Sequence, residues 1–435
     1  MDQASQQAEP STSHLRVDRV PTPPSGRPRE NAVDLLRAGA ILLVVTLHSA
    51  LAYIQQEIPA LVWAVHDPLG TNRGFDLFCW WSMSVSNAMF FLISGFLAAG
   101  IWDSRGLVGF WVNRGRRVLL PFLIGMVVIA PLSLYAWYYG WLVMGRATPR
   151  EVAKWQFSYP GFQANLYGPG HLWFLFYLIM MLGVFTCGRF FGGPWRPLER
   201  LMGWLATRSV GLLGLGLIST VFLGAHLYFY GIDAALDRHN SFVPDVVRVG
   251  HYFMFFLAGV GLRGIPGSLA GLWPRSAWLL VLSVPVFVAR ALLLSMDWVA
   301  PLPLAPRLVM TVLGGFFSWL TVLGLLGTAC HYVHSPMRVV RYLADGSFWI
   351  YLIHMPLVGV LQADFYQVPI HPVLKFAIVW TVTMGLGIGT YQLWVRHTFI
   401  GRFLHGPKPT WSEIPGASPT RHAPKTMDAA PAVSP

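Results

Sequence analysis

Arginine and histidine are costly inside a bilayer and useful in an active site, and one apolar stretch carries both. It reads Asp34-Leu-Leu-Arg37 and then runs apolar to Thr46-Leu-His48-Ser49. A charged side chain at mid-bilayer costs about 2.5–3.5 kcal/mol on insertion scales, so each exception calls for a reason. Arg37 and His48 are eleven residues apart. On a helix that spacing is about 1100°, within about 20° of three whole turns, so both side chains share a face roughly 16 Å apart along the axis. Asp34 lies one turn before Arg37 and is placed to pair with it. Snorkelling explains Arg37 alone, and a helix–helix hydrogen bond explains His48 alone. Neither explains the shared face. A neutral histidine so placed has the chemistry of a general base.

Other polar residues recur in later apolar runs. Asn87 and Ser94 are seven residues apart, again nearly on one face, and helix–helix hydrogen bonding accounts for them equally well. Arg114, Arg116 and Arg117 precede Pro121. Such a cluster is either a topology signal or a phosphate site. His171 opens the segment HLWFL, and His354 lies within SFWIYLIHMPL. Gly211, Gly214 and Gly216 resemble a phosphate loop in spacing. They fall inside an apolar run with no strand before it, which points to close helix packing. Cys79, Cys187 and Cys330 form no CxxC pair and no metal spacing, and are expected to be free thiols with no role.

The elements that position these residues are membrane spans. Hydrophobic residues make up 54% of the 435 residues and charged residues only 11%, against about 25% charged in a soluble domain. A soluble surface needs those charges; a bilayer does not. Nineteen Trp suit the membrane interface. Ten candidate spans are about the length that crosses the hydrocarbon core: 33–54, 80–101, 117–137, 171–190, 209–230, 245–263, 276–296, 306–330, 342–362 and 371–396. Arg248 and His251 make the sixth the weakest. The fold class is therefore all-α and polytopic, with about ten transmembrane helices. The net charge of +12 reflects topology rather than nucleic-acid binding, because the basic residues fall between apolar runs. Segments holding Arg105, Arg114, Arg117, Arg196, Arg208, Arg275 and Arg338 alternate with segments poor in Arg and Lys, so the positive-inside rule puts both termini in the cytosol. Residues 1–30 and 401–435 are polar and Pro-rich and are expected to be disordered cytosolic tails flanking a membrane domain at 31–400. No apolar segment precedes residue 33, so the first span is expected to act as signal anchor.

Arg37 followed by His48 resembles the Arg-x10-His signature of the acyltransferase-3 family of membrane acyltransferases. FFLISGF (90–96), RRVLLP (116–121), HLWFL (171–175) and SFWIYLIHMPL (347–357) resemble that family's other landmarks, in order, over roughly residues 31–400. HLWFL and the last segment look closest to the branch that includes the periplasmic-glucan succinyltransferases. Some glucan-modifying relatives carry a second His after the position of His354, where this chain has Met355.

The resemblance implies an acyl-CoA donor reached from the cytosol and a hydroxyl of an extracytoplasmic glycan as acceptor, in a multi-pass plasma membrane of bacterial inner-membrane type. No permanently bound cofactor, no metal and no nucleic-acid partner is expected, and a homo-oligomer is compatible with the reading. His48 is the expected catalytic base, with Ser94, Asn87 or His354 orienting it or holding the oxyanion. Arg37, Arg114 and Arg117 are expected to hold the donor's phosphates. A proton-coupled multi-pass transporter is the alternative, since intramembrane His and Arg also suit a proton relay. A non-catalytic membrane scaffold is a third reading, under which His48 is dispensable.

Overall fold

The computed structural model describes residues 31–399 and 401, apart from 59–60, 164–165, 194, 232–239, 334 and 336. The expected tails at 1–30 and 401–435 lie outside the described residues, save Gly401. The described residues contain helices and no strand. The helices are α1 (Asn31–Ala50), α2 (Arg73–Arg114), α3 (Leu120–Ile124), α4 (Ala130–Val143), α5 (Pro149–Lys154), α6 (Trp173–Phe191), α7 (Trp195–Thr207), α8 (Ser209–Tyr230), α9 (Val246–Gly264), α10 (Trp273–Val299), α11 (Leu304–Tyr332), α12 (Arg338–Asp364) and α13 (Pro372–Thr390).

Nine helical stretches among the described residues are long and apolar enough to cross a membrane. One of them, Arg73–Val143, runs for 71 residues. That is about 106 Å at 1.5 Å per residue, over three times the roughly 30 Å hydrocarbon core. It breaks at Gly106, which sits at φ 62°, ψ −171°, a conformation that a Cβ disfavours. The expected spans 80–101 and 117–137 lie on either side of this break. Wide turns at Gly115–Leu119 and Gly125–Ile129 join α2, α3 and α4 into one continuous path.

The weakest expected span forms as α9. Its entry is set by Asp245, whose carboxylate accepts the Val247 and Arg248 N–H groups at 2.9 and 3.1 Å, and an N-cap of this kind typically contributes about 1 kcal/mol. Helix α7 falls in none of the ten expected spans. It lies between spans, and its Glu199 accepts from Arg189 at 2.6 Å, while Arg189 also reaches Asp103 at 3.2 Å. These bonds tie α2, α6 and α7 together at one end of the bundle. Small residues let the helices meet by their backbones: a Cβ on Gly95 would stand 1.9 Å from the Phe256 carbonyl, and one on Gly259 1.9 Å from that of Leu92. The nucleotide-like glycines do the same, Gly211 against the Leu205 backbone and Gly216 against the Phe316 ring. They are packing residues.

Candidate active site

Helix α1 packs between α2 and α12, and its polar face carries Arg37 and His48. Near its start, Arg37 pairs with Asp34 at 3.6 Å and donates to the Ala344 carbonyl on α12 at 3.1 Å. Arg114 belongs to the same neighbourhood, because the charges acting on its guanidinium are those of Arg117 and Arg37. Its Nε and Nη2 are buried and have no hydrogen-bond partner among the described residues. The three cations of the sequence reading therefore lie near enough for the charges of Arg37 and Arg117 to act on Arg114, with Asp34 beside Arg37.

At the other end of α1, His48 Nδ1 lies 2.8 Å from His354 Nε2. The rings are nearly coplanar in orientation, 6° apart, and His354 is fully buried. The protonation pattern follows from the backbone. His354 Nδ1 faces the carbonyls of Tyr351 and Ile350 at 2.7 and 3.2 Å. A carbonyl only accepts, so His354 carries its proton on Nδ1 and a lone pair on Nε2. His48 must then donate from Nδ1, which makes Nε2 its basic nitrogen. The order is carbonyl, His354, His48.

A third imidazole adjoins this pair. The His171 ring lies edge-on to His354, with centroids 5.8 Å apart, and its Nε2 is 3.2 Å from the Leu352 carbonyl. In a regular helix that carbonyl would accept from the residue four places on. Here that residue is Pro356, which has no N–H. His171 Nε2–H fills the vacancy, and the Tyr351 hydroxyl donates to the His171 carbonyl at 2.6 Å. The proline in α12 thus fixes a histidine on the neighbouring element.

Gln362, buried on α12, uses both ends of its amide. Its Nε2 donates to the His48 and Ser49 carbonyls at 3.0 and 3.2 Å, in the last turn of α1. Its Oε1 accepts from the Trp63 indole at 2.7 Å. Trp63 in turn lies over His48, with ring centroids 5.4 Å apart. The loop carrying Trp63 is pinned from below by Trp137 Nε1, which donates to the Val62 carbonyl at 2.9 Å, and by the buried Asp67–Lys375 ion pair.

His48, Trp63, His171, Trp173, Tyr177 and Arg248 line one cavity of about 170 Å³. Arg248 is buried beneath the faces of Trp173 and Tyr177, 5.9 and 5.6 Å from the ring centres. It also lies 3.9 Å from Asp245, which contacts His226 at 2.6 Å.

Of the residues singled out in the sequence, His48 and His354 meet. Arg37 lies at the opposite end of α1, near enough, with Arg117, for its charge to act on Arg114. Asn87 and Ser94 do not join either group: neither lines the cavity, and the Asn87 amide donates within its own helix, to the Met83 carbonyl at 3.5 Å. Gln362, Trp63 and Arg248 were missed, and His171 was noted only as a landmark. Gln362 sits eight residues beyond His354 on α12, about 80° round the helix from it, and no shared-face spacing marked it. Trp63 lies in a loop with no periodic signal.

An acyltransferase domain model of the acyltransferase-3 type matches residues 30–392. The chain belongs to that family and is, in class, an integral membrane acyltransferase. No curated relative and no solved structure matches it. The family match sets the transporter alternative aside.

Proposed function

We propose that the protein moves an acetyl- or succinyl-type group from cytosolic acyl-CoA to a hydroxyl of an extracytoplasmic glycan, with His48 as general base. The observation that carries this reading is the ordered chain from backbone carbonyl through His354 to His48 at the wall of the cavity. With both termini cytosolic, Arg37, Arg114 and Arg117 face the donor's compartment and bind its phosphates. The pantetheine arm then runs along α1 toward His48, roughly 16 Å away.

The acceptor hydroxyl attacks the thioester carbonyl carbon as His48 Nε2 takes its proton. The C–S bond of the tetrahedral intermediate breaks, and the thiolate leaves with the proton returned by His48. Charge stays within hydrogen-bond reach of fixed groups, because the imidazolium donates through Nδ1 to His354. Among acyl groups, Arg248 on the cavity wall favours one that ends in a carboxylate, hence succinyl over acetyl. This agrees with the glucan-succinyltransferase branch suggested by HLWFL and SFWIYLIHMPL.

The test is acyl transfer in vesicles holding the purified protein, with succinyl-CoA or acetyl-CoA on the Arg37 side, a glucan on the other, and mass spectrometry of the glucan. The expected product is an ester, formed faster from succinyl-CoA and absent with His48→Gln. A protein that binds acyl-CoA yet modifies no envelope glycan, in vesicles or in cells compared with and without the gene, refutes the proposal.

A further inference from the structure

A second cavity, of about 210 Å³, shares no lining residue with the first and lies where the end of α7, the first turn of α8 and the start of α10 meet α11. Arg208 and Arg275 both line it, together with Ser209, Trp278, Leu279 and Leu323. The like charge of Arg208 acts on Arg275. The Nη2 of Arg275 is buried with no hydrogen-bond partner among the described residues. Arg189, by contrast, has Asp103 and Glu199, and Arg37 has Asp34. Arg275 is half-buried and Arg208 exposed at the edge of this apolar-walled cavity, and an anion between the two turns their mutual repulsion into charge-assisted hydrogen bonds.

Two features say what kind of anion. Arg208 is the N-cap of the 22-residue helix α8 and makes no side-chain cap, so the first amides of α8 add donors and the positive end of the helix dipole. Trp278 on the cavity wall is 75% exposed, and Val281, nearly one turn on along α10, is 62% exposed. An exposed indole beside basic residues at a helix end marks the headgroup level of a bilayer, and basic pockets between spans on the cytoplasmic side suit anionic lipid headgroups.

We propose that this cavity binds the phosphate of an anionic phospholipid of the leaflet on the Arg37 side, its acyl chains lying along Trp278 and Leu279. The shared chemistry is a phosphate anion between two arginines; the lipid is distinguished from free phosphate by its tails. This site is separate from the donor site assigned to Arg37, Arg114 and Arg117.

The test uses the full chain in detergent, titrated with short-chain phosphatidylglycerol, phosphatidylcholine or inorganic phosphate, with retained ligand read by native mass spectrometry and stability by thermal melting. Phosphatidylglycerol is expected to be retained and to raise Tm, and the other two are not. Arg208→Gln and Arg275→Gln should each lower phosphatidylglycerol affinity about tenfold or more, the weight of a charge-assisted bond. Arg208→Lys, which keeps the charge, should lose less, and its unchanged gel-filtration profile guards against a folding artefact. Acyl-CoA affinity should be unchanged in all three variants. Equal retention of phosphatidylcholine, binding of inorganic phosphate without the lipid, or undiminished binding in both Gln variants overturns the proposal. A parallel loss of acyl-CoA affinity also overturns it, by assigning the cavity to the donor.

Discussion

Replacing His354 separates orientation from chemistry. His48 Nδ1 donates to His354 Nε2 at 2.8 Å. In the resting site that bond is neutral and worth about 1 kcal/mol. Once His48 has taken a proton the donor is charged, and such bonds are worth about 1.5–3 kcal/mol. The difference, about 0.5–2 kcal/mol, exists only after proton transfer and corresponds to about 2- to 30-fold in kcat. His354→Leu should therefore lose about that factor. His354→Gln, whose amide oxygen can accept from Nδ1, should recover part of it. His48→Gln should lose the whole contribution of a base, about 10²–10⁴-fold, because an amide accepts no proton at neutral pH. Acyl-CoA affinity should persist in all three, since the phosphates bind at the far end of α1. The assay is the initial rate of glucan acylation in vesicles, with acyl-CoA binding measured calorimetrically on the same preparations. If His354→Gln proves more damaging than His48→Gln, the roles are reversed and the tautomer argument fails.

Three further outcomes are expected. Arg114→Ala should weaken acyl-CoA binding about tenfold or more at low salt, and less at 1 M, where the Debye length is about 3 Å; unchanged affinity at both salts would leave the arginines as topology signals alone. Gln362→Leu strands the carbonyls of His48 and Ser49 and the indole N–H of Trp63, each at about 1–3 kcal/mol, so thermal stability and kcat should fall together while acyl-CoA affinity holds; a wild-type melting temperature would show that water replaces the amide. Backbone N–H groups of Ser158 and Thr148 hold the Glu151 carboxyl down, from 4.5 to about 2. A depressed carboxylate contributes stability above its unfolded value and loses it as pH falls through the folded one. Protection of the α5 amides, measured as exchange relative to the intrinsic rate at each pH, should therefore fall between about pH 4.5 and 2, and Glu151→Gln should abolish that fall.

Much of this was legible in the sequence, and the reasons differ by residue. Spans declare themselves by length and apolarity: nine stretches stand among the described residues where about ten spans were expected, because the two expected at 80–101 and 117–137 belong to the single stretch Arg73–Val143, one on each side of Gly106. The pairing of His48 with His354 was half readable. Each histidine stood out as a costly polar group, but nothing in a linear chain says that α1 and α12 are neighbours. Helical spacing kept Asn87 and Ser94 in the reading, since a shared face is visible in sequence and the direction of that face is not. Trp63 was invisible because a loop side chain has no period. Helix α7 stood outside every expected span because Arg196, Glu199 and Arg200 keep it from being apolar enough to cross a membrane, and only the structure shows Glu199 taking the Arg189 guanidinium.

Pro356 has a consequence for how this chain can vary through evolution. Because the proline lacks an N–H, the Leu352 carbonyl recruits His171 from another element, and the two positions become a single heritable unit. Any other residue at 356 would supply its own N–H, compete for that carbonyl and release the imidazole. A histidine at 171 without a proline at 356 loses the partner that sets its tautomer, and a proline without the histidine leaves a bare carbonyl in the membrane interior. Among relatives the two should be gained and lost together, although 185 positions of chain separate them.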